Sequence, residues 1–204
     1  YEHMQLPGID HLTHSLTWPT GDKFIFTPKQ CSSVANQLGR KEILAEMYGV
    51  SSQRITFEGR KEIGDWLELF GINYRCYHGS FYSMHGIRKR IYPPHLSYQQ
   101  PWWPDNRLVA DYFARLSYAM RQGKYRADVL IVHPVESGFC VFDPTHTDER
   151  RKRAFGQVRT RTVGPRTLKA LNDSFQKLSE NLLSIHRGFE YGDEHLMQRY
   201  GKVT

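Results

Sequence analysis

Glu46 is a carboxylate set among apolar neighbours. It follows Ile43-Leu44-Ala45 and precedes Met47-Tyr48-Gly49. Dehydrating a charged side chain is costly unless it is paired or put to use. Partial dehydration also suits a carboxyl to exchange a proton with a substrate. The competing reading is a structural glutamate held in an ion pair. His78 closes a second run, Cys76-Tyr77-His78-Gly79. It could orient Glu46 or meet a substrate hydroxyl, and a satisfied core histidine is the plainer alternative. Asp10 and His11 end Pro7-Gly8-Ile9-Asp10-His11, a candidate earlier strand. Glu136 also follows an apolar run, and its role is open.

Aromatic residues add a second kind of chemistry. The stretch Tyr98-Gln99-Gln100-Pro101-Trp102-Trp103 combines indole rings with amides. Sugars present C–H faces that stack on such rings, while amides serve their hydroxyls. Adjacent tryptophans can equally wedge a loop against a core, and both readings stand. Phosphate-binding glycine loops, a Gly-x-Ser-x-Gly elbow and a His-Glu-x-x-His motif do not occur. This weakens nucleotide, esterase and zinc-protease chemistry.

The elements that would position these residues alternate strands with amphipathic helices, the pattern of an α/β protein with parallel strands. A helix is expected over about 29–38, with Thr27 as N-cap, Pro28 in the first turn and Gly39 as stop. A strand over 41–48 carries Glu46. A second helix spans 57–70 between Thr56 and Gly71, with Ile63, Trp66, Leu67 and Phe70 at helical spacing. A strand over 72–78 ends on His78. After a long aromatic loop, 79–104, a third helix covers 105–122. Leu108, Val109, Tyr112, Phe113, Leu116 and Met120 are expected on its apolar face. A strand follows over 127–133, then a polar loop over 143–165. A fourth helix, 167–187, is striped with Leu168, Leu171, Phe175, Leu178, Leu182 and Ile185. The C-terminal end reads as the place where another strand could begin.

Composition narrows the setting. The 204 residues hold 39% hydrophobic and 13% aromatic side chains, enough for a packed core. No apolar run approaches the roughly 18 residues of a membrane span, so no membrane partner is expected. The three cysteines, Cys31, Cys76 and Cys140, lack metal-ligand spacing and are expected as buried reduced thiols. Neither a metal nor a cofactor is called for. The net charge of +7 is spread or gathered in two short loops, 88–90 and 150–153. These read as solvated, with no nucleic-acid partner expected. The opening residues have no basic and apolar leader pattern, which leaves a cytoplasmic or periplasmic location open.

Several stretches taken in order carry a family resemblance: residues 1–12, 44–49, 63–66, 71–73, 88–90, 97–103, 111–117 and 133–137. Together they resemble large bacterial glycoside hydrolases of the α-L-rhamnosidase type, over roughly residues 1–140. The layout also looks like the end of the barrel in β-galactosidases that carry a flavodoxin-like domain after it. The resemblance implies that residues 1–123 are the C-terminal part of a (β/α)8 TIM barrel. Residues 124–204 would begin a flavodoxin-like α/β domain of the trimerisation type, which leaves homo-oligomerisation open. It implies Glu46 as catalytic carboxylate, a general base if the reaction inverts and a nucleophile if it retains. Asp10, His11, Tyr48, His78 and Trp102 would bind an oligo- or polysaccharide. The partner acid would lie on an earlier strand, and the rest of the barrel would be a partner of this part. Without that acid the chain is expected to be inactive alone. A non-catalytic carbohydrate-binding remnant is the alternative.

Overall fold

A computed structural model describes residues 1–12, 25–91, 93–142 and 165–202, with the backbone alone at 165–167. The chain is mixed α/β, with two small parallel sheets in two compact units, Tyr1–Tyr125 and Arg126–Thr204. The polar loop expected over 143–165 lies outside the described residues, apart from Pro165.

The first unit is built on a three-stranded parallel sheet: β1 (Gly8–Asp10), β2 (Leu44–Met47) and β3 (Tyr74–Tyr77), in that spatial order. The register aligns Gly8 with Leu44 and Tyr74, and Asp10 with Glu46 and Cys76. Side chains alternate along a strand, so this alignment sorts them cleanly between two faces. Ile9, Ala45 and Met47 are buried on one face, beside half-buried Arg75 and Tyr77. The other face carries Asp10, Tyr74 and Cys76, all exposed, with Leu44 and Glu46 half-buried.

Helices α1 (Phe26–Gln37), α2 (Phe57–Leu69) and α3 (Asn106–Met120) complete the unit. The core joins Cys31 and Ala35 of α1 and Ile63 and Leu67 of α2 to Ala45 and Met47 of the sheet. Thr56 caps α2 as expected, its hydroxyl accepting from Gly59 N–H at 3.1 Å. Gly39 and Gly71 take the left-handed φ (67° and 93°) that ends α1 and α2. On the covered side Glu68 of α2 pairs with Arg75 of β3, and both are nearly enclosed. The Ser117 hydroxyl of α3 donates to Glu68 at 3.3 Å. Burial pushes the Glu68 carboxyl up, while the Arg75 charge pulls it down.

Several sequence expectations need correction. Helix α1 starts at Phe26, so Thr27 lies inside it, and its N-cap Ile25 makes no side-chain cap. Strands β2 and β3 are four residues each, shorter than 41–48 and 72–78. Asn73 ends its own approach by accepting Ile43 N–H on its side-chain oxygen at 3.1 Å. The buried stripe of α3 is Val109, Phe113 and Ser117, while Leu108 and Met120 are exposed. The i, i+4, i+8 line is the one that meets α2, where a Cβ on Gly64 would overlap the Phe113 ring. Only Cys31 is a buried thiol; Cys76 and Cys140 are free and exposed. Cys76 is exposed because its register puts it on the open face. The long loop contains two 3-10 turns, Gly86–Arg90 and Trp103–Asp105.

The second unit contains β4 (Val129–Val132) and β5 (Phe189–Gly192), parallel and in register from Val129–Phe189 to Val132–Gly192. Helices α4 (Val135–Val141) and α5 (Pro165–Ser184) lie between them in sequence, and α6 (Glu194–Tyr200) follows. Strand β5 falls in the C-terminal end, where another strand could begin, while α4 and α6 lie outside the sequence expectations. A signal for α6 was present: Asp193 caps it by accepting Leu196 N–H at 3.0 Å. The buried line of α5 runs through Phe175 and Ser179, and Leu178 and Ile185 are exposed. Phe175 packs on Tyr191 at 4.6 Å, and Ser179 shares a 2.8 Å hydrogen bond with the Tyr191 hydroxyl. Those contacts to β5 select which side of α5 turns inward. No helix among the described residues is long and apolar enough to cross a membrane.

Candidate functional site at the carboxyl edge of the sheet

The open face of β1-β2-β3 gathers three of the candidate residues. Asp10 and Glu46 are Cα partners on adjacent parallel strands, at the carboxyl end of each. His78 directly follows β3, and its N–H donates to Met47 O at 2.9 Å. Its Nδ1 lies 3.3 Å from Glu46 Oε1, with the two side chains 44% and 42% exposed. The site is therefore a row, Asp10–Glu46–His78, across three strands. Active residues of α/β proteins concentrate at this edge.

Glu46 is less dehydrated than its apolar neighbours suggest. Ala45 and Met47 point to the covered face, while Glu46 points to the open one. The Asp10 carboxyl is raised above its usual range by partial burial first and by the Glu46 charge second, while His78 pulls it down. Two adjacent carboxylates and an imidazole can hold, share or move a proton, and can accept from substrate hydroxyls.

His11 is placed differently. Strand alternation turns it away from Asp10, and it is fully buried. Burial lowers its pKa to about 4, so its imidazole is neutral near pH 7. Its N–H donates to Glu46 O at 3.0 Å, which ties the ends of β1 and β2 together.

Tyr48 and Trp102 belong to the covered side. Tyr48 is fully buried, stacked on Tyr77 at 5.5 Å, and its hydroxyl donates to Arg60 O at 3.1 Å. Burial raises its pKa. Trp102 meets Phe57 edge-on at 5.4 Å and lies under the Arg60 guanidinium at 5.5 Å. Arg60 is itself buried among these rings and donates to Asn106 Oδ1 at 2.8 Å. This geometry matches the wedge reading of the tryptophan pair for Trp102; Trp103 is 36% exposed.

One feature escaped the sequence reading. Just after Glu46, three non-glycine residues adopt left-handed φ: Tyr48 (70°), Val50 (56°) and Ser52 (63°). Such conformations cost about 1–3 kcal/mol each and persist where neighbours enforce them. Here Ser51 Oγ donates to Tyr48 O at 2.6 Å, and the Arg60 ring cage holds Tyr48. Gly49 leaves room for its neighbours: a Cβ there would stand 3.0 Å from Leu12 Cδ2 and 3.3 Å from His78 Nδ1, so those side chains would have to give way. No sequence motif announces this turn. Elsewhere in the set, Glu136 pairs with His195 at 3.1 Å in the second unit. No cluster of three or more His, Cys, Asp or Glu suited to a metal occurs among the described residues.

Over 136 residues the chain is 27% identical to a protein from Formosa agariphila described as "Putative beta-glucuronidase". The match takes in 64% of this chain and 12% of that relative's length. At this low identity it is a glycoside-hydrolase-like relation. No family model matches the chain, and no solved structure matches it.

Proposed function

We propose that the first unit belongs to the catalytic barrel of a glycoside hydrolase, with Glu46 as a catalytic carboxylate. The observation that carries this reading is the Asp10–Glu46–His78 row at the carboxyl edge of a parallel sheet, one face of which is left open among the described residues. Parallel strands are ordinarily covered on both faces. A three-stranded parallel sheet with helices, among the described residues, on one side only has the layout of a barrel segment whose inner face meets further strands. The finer assignment is residues 1–123 as the last barrel strands and 124–204 as the start of a flavodoxin-like unit. The β4–helix–β5 arrangement supports a doubly wound unit of that kind.

In this reading His78 orients Glu46, and Asp10 accepts from a substrate hydroxyl beside it. Glu46 activates water in an inverting reaction or attacks the anomeric carbon in a retaining one. The second carboxyl group comes from another strand of the barrel. The substrate class is a plant or bacterial saccharide, α-L-rhamnoside-like by the motif resemblance. The relative's name adds β-glucuronides to the panel to be assayed. Buried Tyr48 and half-buried Trp102 pack on the covered side, behind the row, which favours a supporting role for both over direct sugar binding.

The test is Glu46→Gln in the longest natural form of the protein, assayed on aryl α-L-rhamnosides and β-glucuronides. Turnover falls by about 10²–10⁴-fold if Glu46 carries acid–base chemistry. Unchanged turnover in the folded variant removes it from the mechanism. Saccharide binding by a natural form that turns over no glycoside would favour the carbohydrate-binding remnant.

A further inference from the structure

The chain between His78 and Leu96 leaves the carboxyl edge of β3 and returns to it. Its root is fastened by several bonds. Gly79 N–H donates to Pro94 O at 3.2 Å, and Leu96 N–H donates to Gly79 O at 2.9 Å. Ser80 Oγ donates to Leu96 O at 3.1 Å. Phe81 N–H donates to Nδ1 of buried His95 at 2.9 Å, and the two rings stack at 5.4 Å. Beyond this root the chain projects. Tyr82 is 99% exposed and Ile87 77% exposed, and the 3-10 turn Gly86–Arg90 buries nothing.

That turn places Arg88, Lys89 and Arg90 in succession. A 3-10 turn rotates by about 120° per residue, so three consecutive side chains fan out in three directions. None of the three makes an ion pair with a described residue. A merely solvated loop accounts for the cations and leaves the exposed tyrosine and isoleucine unexplained. A rooted arm that offers a ring, an aliphatic side chain and three unpaired cations is suited to a polyanion with apolar faces.

We propose that the arm over 82–91 binds an anionic saccharide chain, through its carboxylate or sulfate groups. Arginine forks match both groups in a two-pronged geometry, and Tyr82 supplies a stacking surface for sugar C–H faces. The root of the arm starts at Gly79, the residue after His78, so a chain bound along the arm is directed toward the Asp10–Glu46–His78 row. Asp10 and Glu46 disfavour an anionic group at the row itself. The charged sugars are therefore those flanking the bond at Glu46. The saccharide identity rests on the hydrolase reading above, whereas the charge preference is read from the arm.

Binding of the full chain is measured by calorimetry at low and high salt. The probes are an oligogalacturonate, a sulfated dextran oligomer, an uncharged dextran oligomer of equal length and a single-stranded oligonucleotide. At least one anionic saccharide should bind about ten-fold or more tightly than the uncharged one, and less tightly as salt rises. If one anionic probe alone binds, it identifies the charged group. Combined Arg88→Gln, Lys89→Gln and Arg90→Gln should abolish the preference, and Tyr82→Ala should weaken saccharide binding. The charge preference is read from binding of the arm variants and the hydrolase reading from turnover of Glu46→Gln, so the failure of one is distinguishable from the failure of the other. Equal affinity for the uncharged oligomer, a triple variant that binds like the parent, or tighter binding of the oligonucleotide overturns the proposal. All four arm residues are exposed, and circular dichroism confirms that the variants fold.

Discussion

The two faces of the β1-β2-β3 sheet carry opposite kinds of residues on strands only three or four residues long. Toward the helices stand Ile9, Ala45, Met47 and Tyr77, with Arg75 neutralised by Glu68. Away from them stand Asp10, Glu46, Tyr74 and Cys76. One side holds the unit together, and the other presents charge and a thiol to solvent. A single residue of register separates the two roles. A polar group among the helices is stabilising only while its partners are in place. A polar group on the open face keeps water available and is free to act on something else.

The comparison makes graded predictions. The largest effect should come from Arg75→Met on the covered face. It leaves the Glu68 carboxylate enclosed without its cation, at a cost of about 3–5 kcal/mol in denaturant unfolding. A loss below 1 kcal/mol would show that this pair is not enclosed in solution.

Next is the acid response of His11, which lies just past β1 on the covered side. Its folded pKa of about 4 is below the ordinary 6.5, so the unfolded chain takes up the proton first as pH falls. Stability should be intact above pH 6.5 and should decline by about 3 kcal/mol by pH 4. His11→Gln should flatten that part of the stability–pH curve. An unaltered slope would assign the acid sensitivity to other groups.

Gly64→Ala should follow, at about 1–3 kcal/mol, because a methyl group would enter the Phe113 ring between α2 and α3. A neutral result would mean that the two helices are spaced more loosely than the structure shows.

The smallest stability change belongs to the open face. Glu46→Gln should shift unfolding by no more than about 0.5 kcal/mol, since a half-exposed contact with His78 is weak. A loss as large as that of Arg75→Met would make Glu46 structural, and the contrast between the faces would fail.

Much of the local structure was legible before any coordinates. Thr56 and Gly71 bracket α2, and Gly39 ends α1, because caps and left-handed glycines act within one turn of chain. The strands around Glu46 and His78 were visible as short apolar runs. Element ends were less so: Thr27 has the chemistry of a cap, yet α1 begins before it. Periodicity marks wider stripes on α3 and α5 than are buried, because it does not say which neighbours are present. β5 is legible only as a place where another strand could begin, and short α6 offers little contrast beyond the Asp193 cap. In the candidate site, Asp10, His11, Glu46 and His78 were singled out one by one from strand ends. That Asp10, Glu46 and His78 form one row, while His11 turns inward, required the register between strands. The left-handed cluster at Tyr48, Val50 and Ser52 left no trace in residue type.

By itself the chain order of apolar runs, caps and glycines determined that this protein alternates strands and helices, and that Glu46 and His78 stand near the carboxyl ends of successive strands. Such signals are local, set by backbone sterics and by hydrogen bonds a few residues apart. The tertiary structure alone decided which side of each strand meets the helices, and hence that Glu46 faces outward while Arg75 and Tyr48 face inward. That choice depends on pairing between residues thirty or more positions apart, and a two-residue period reads the same from either side until the helices pack.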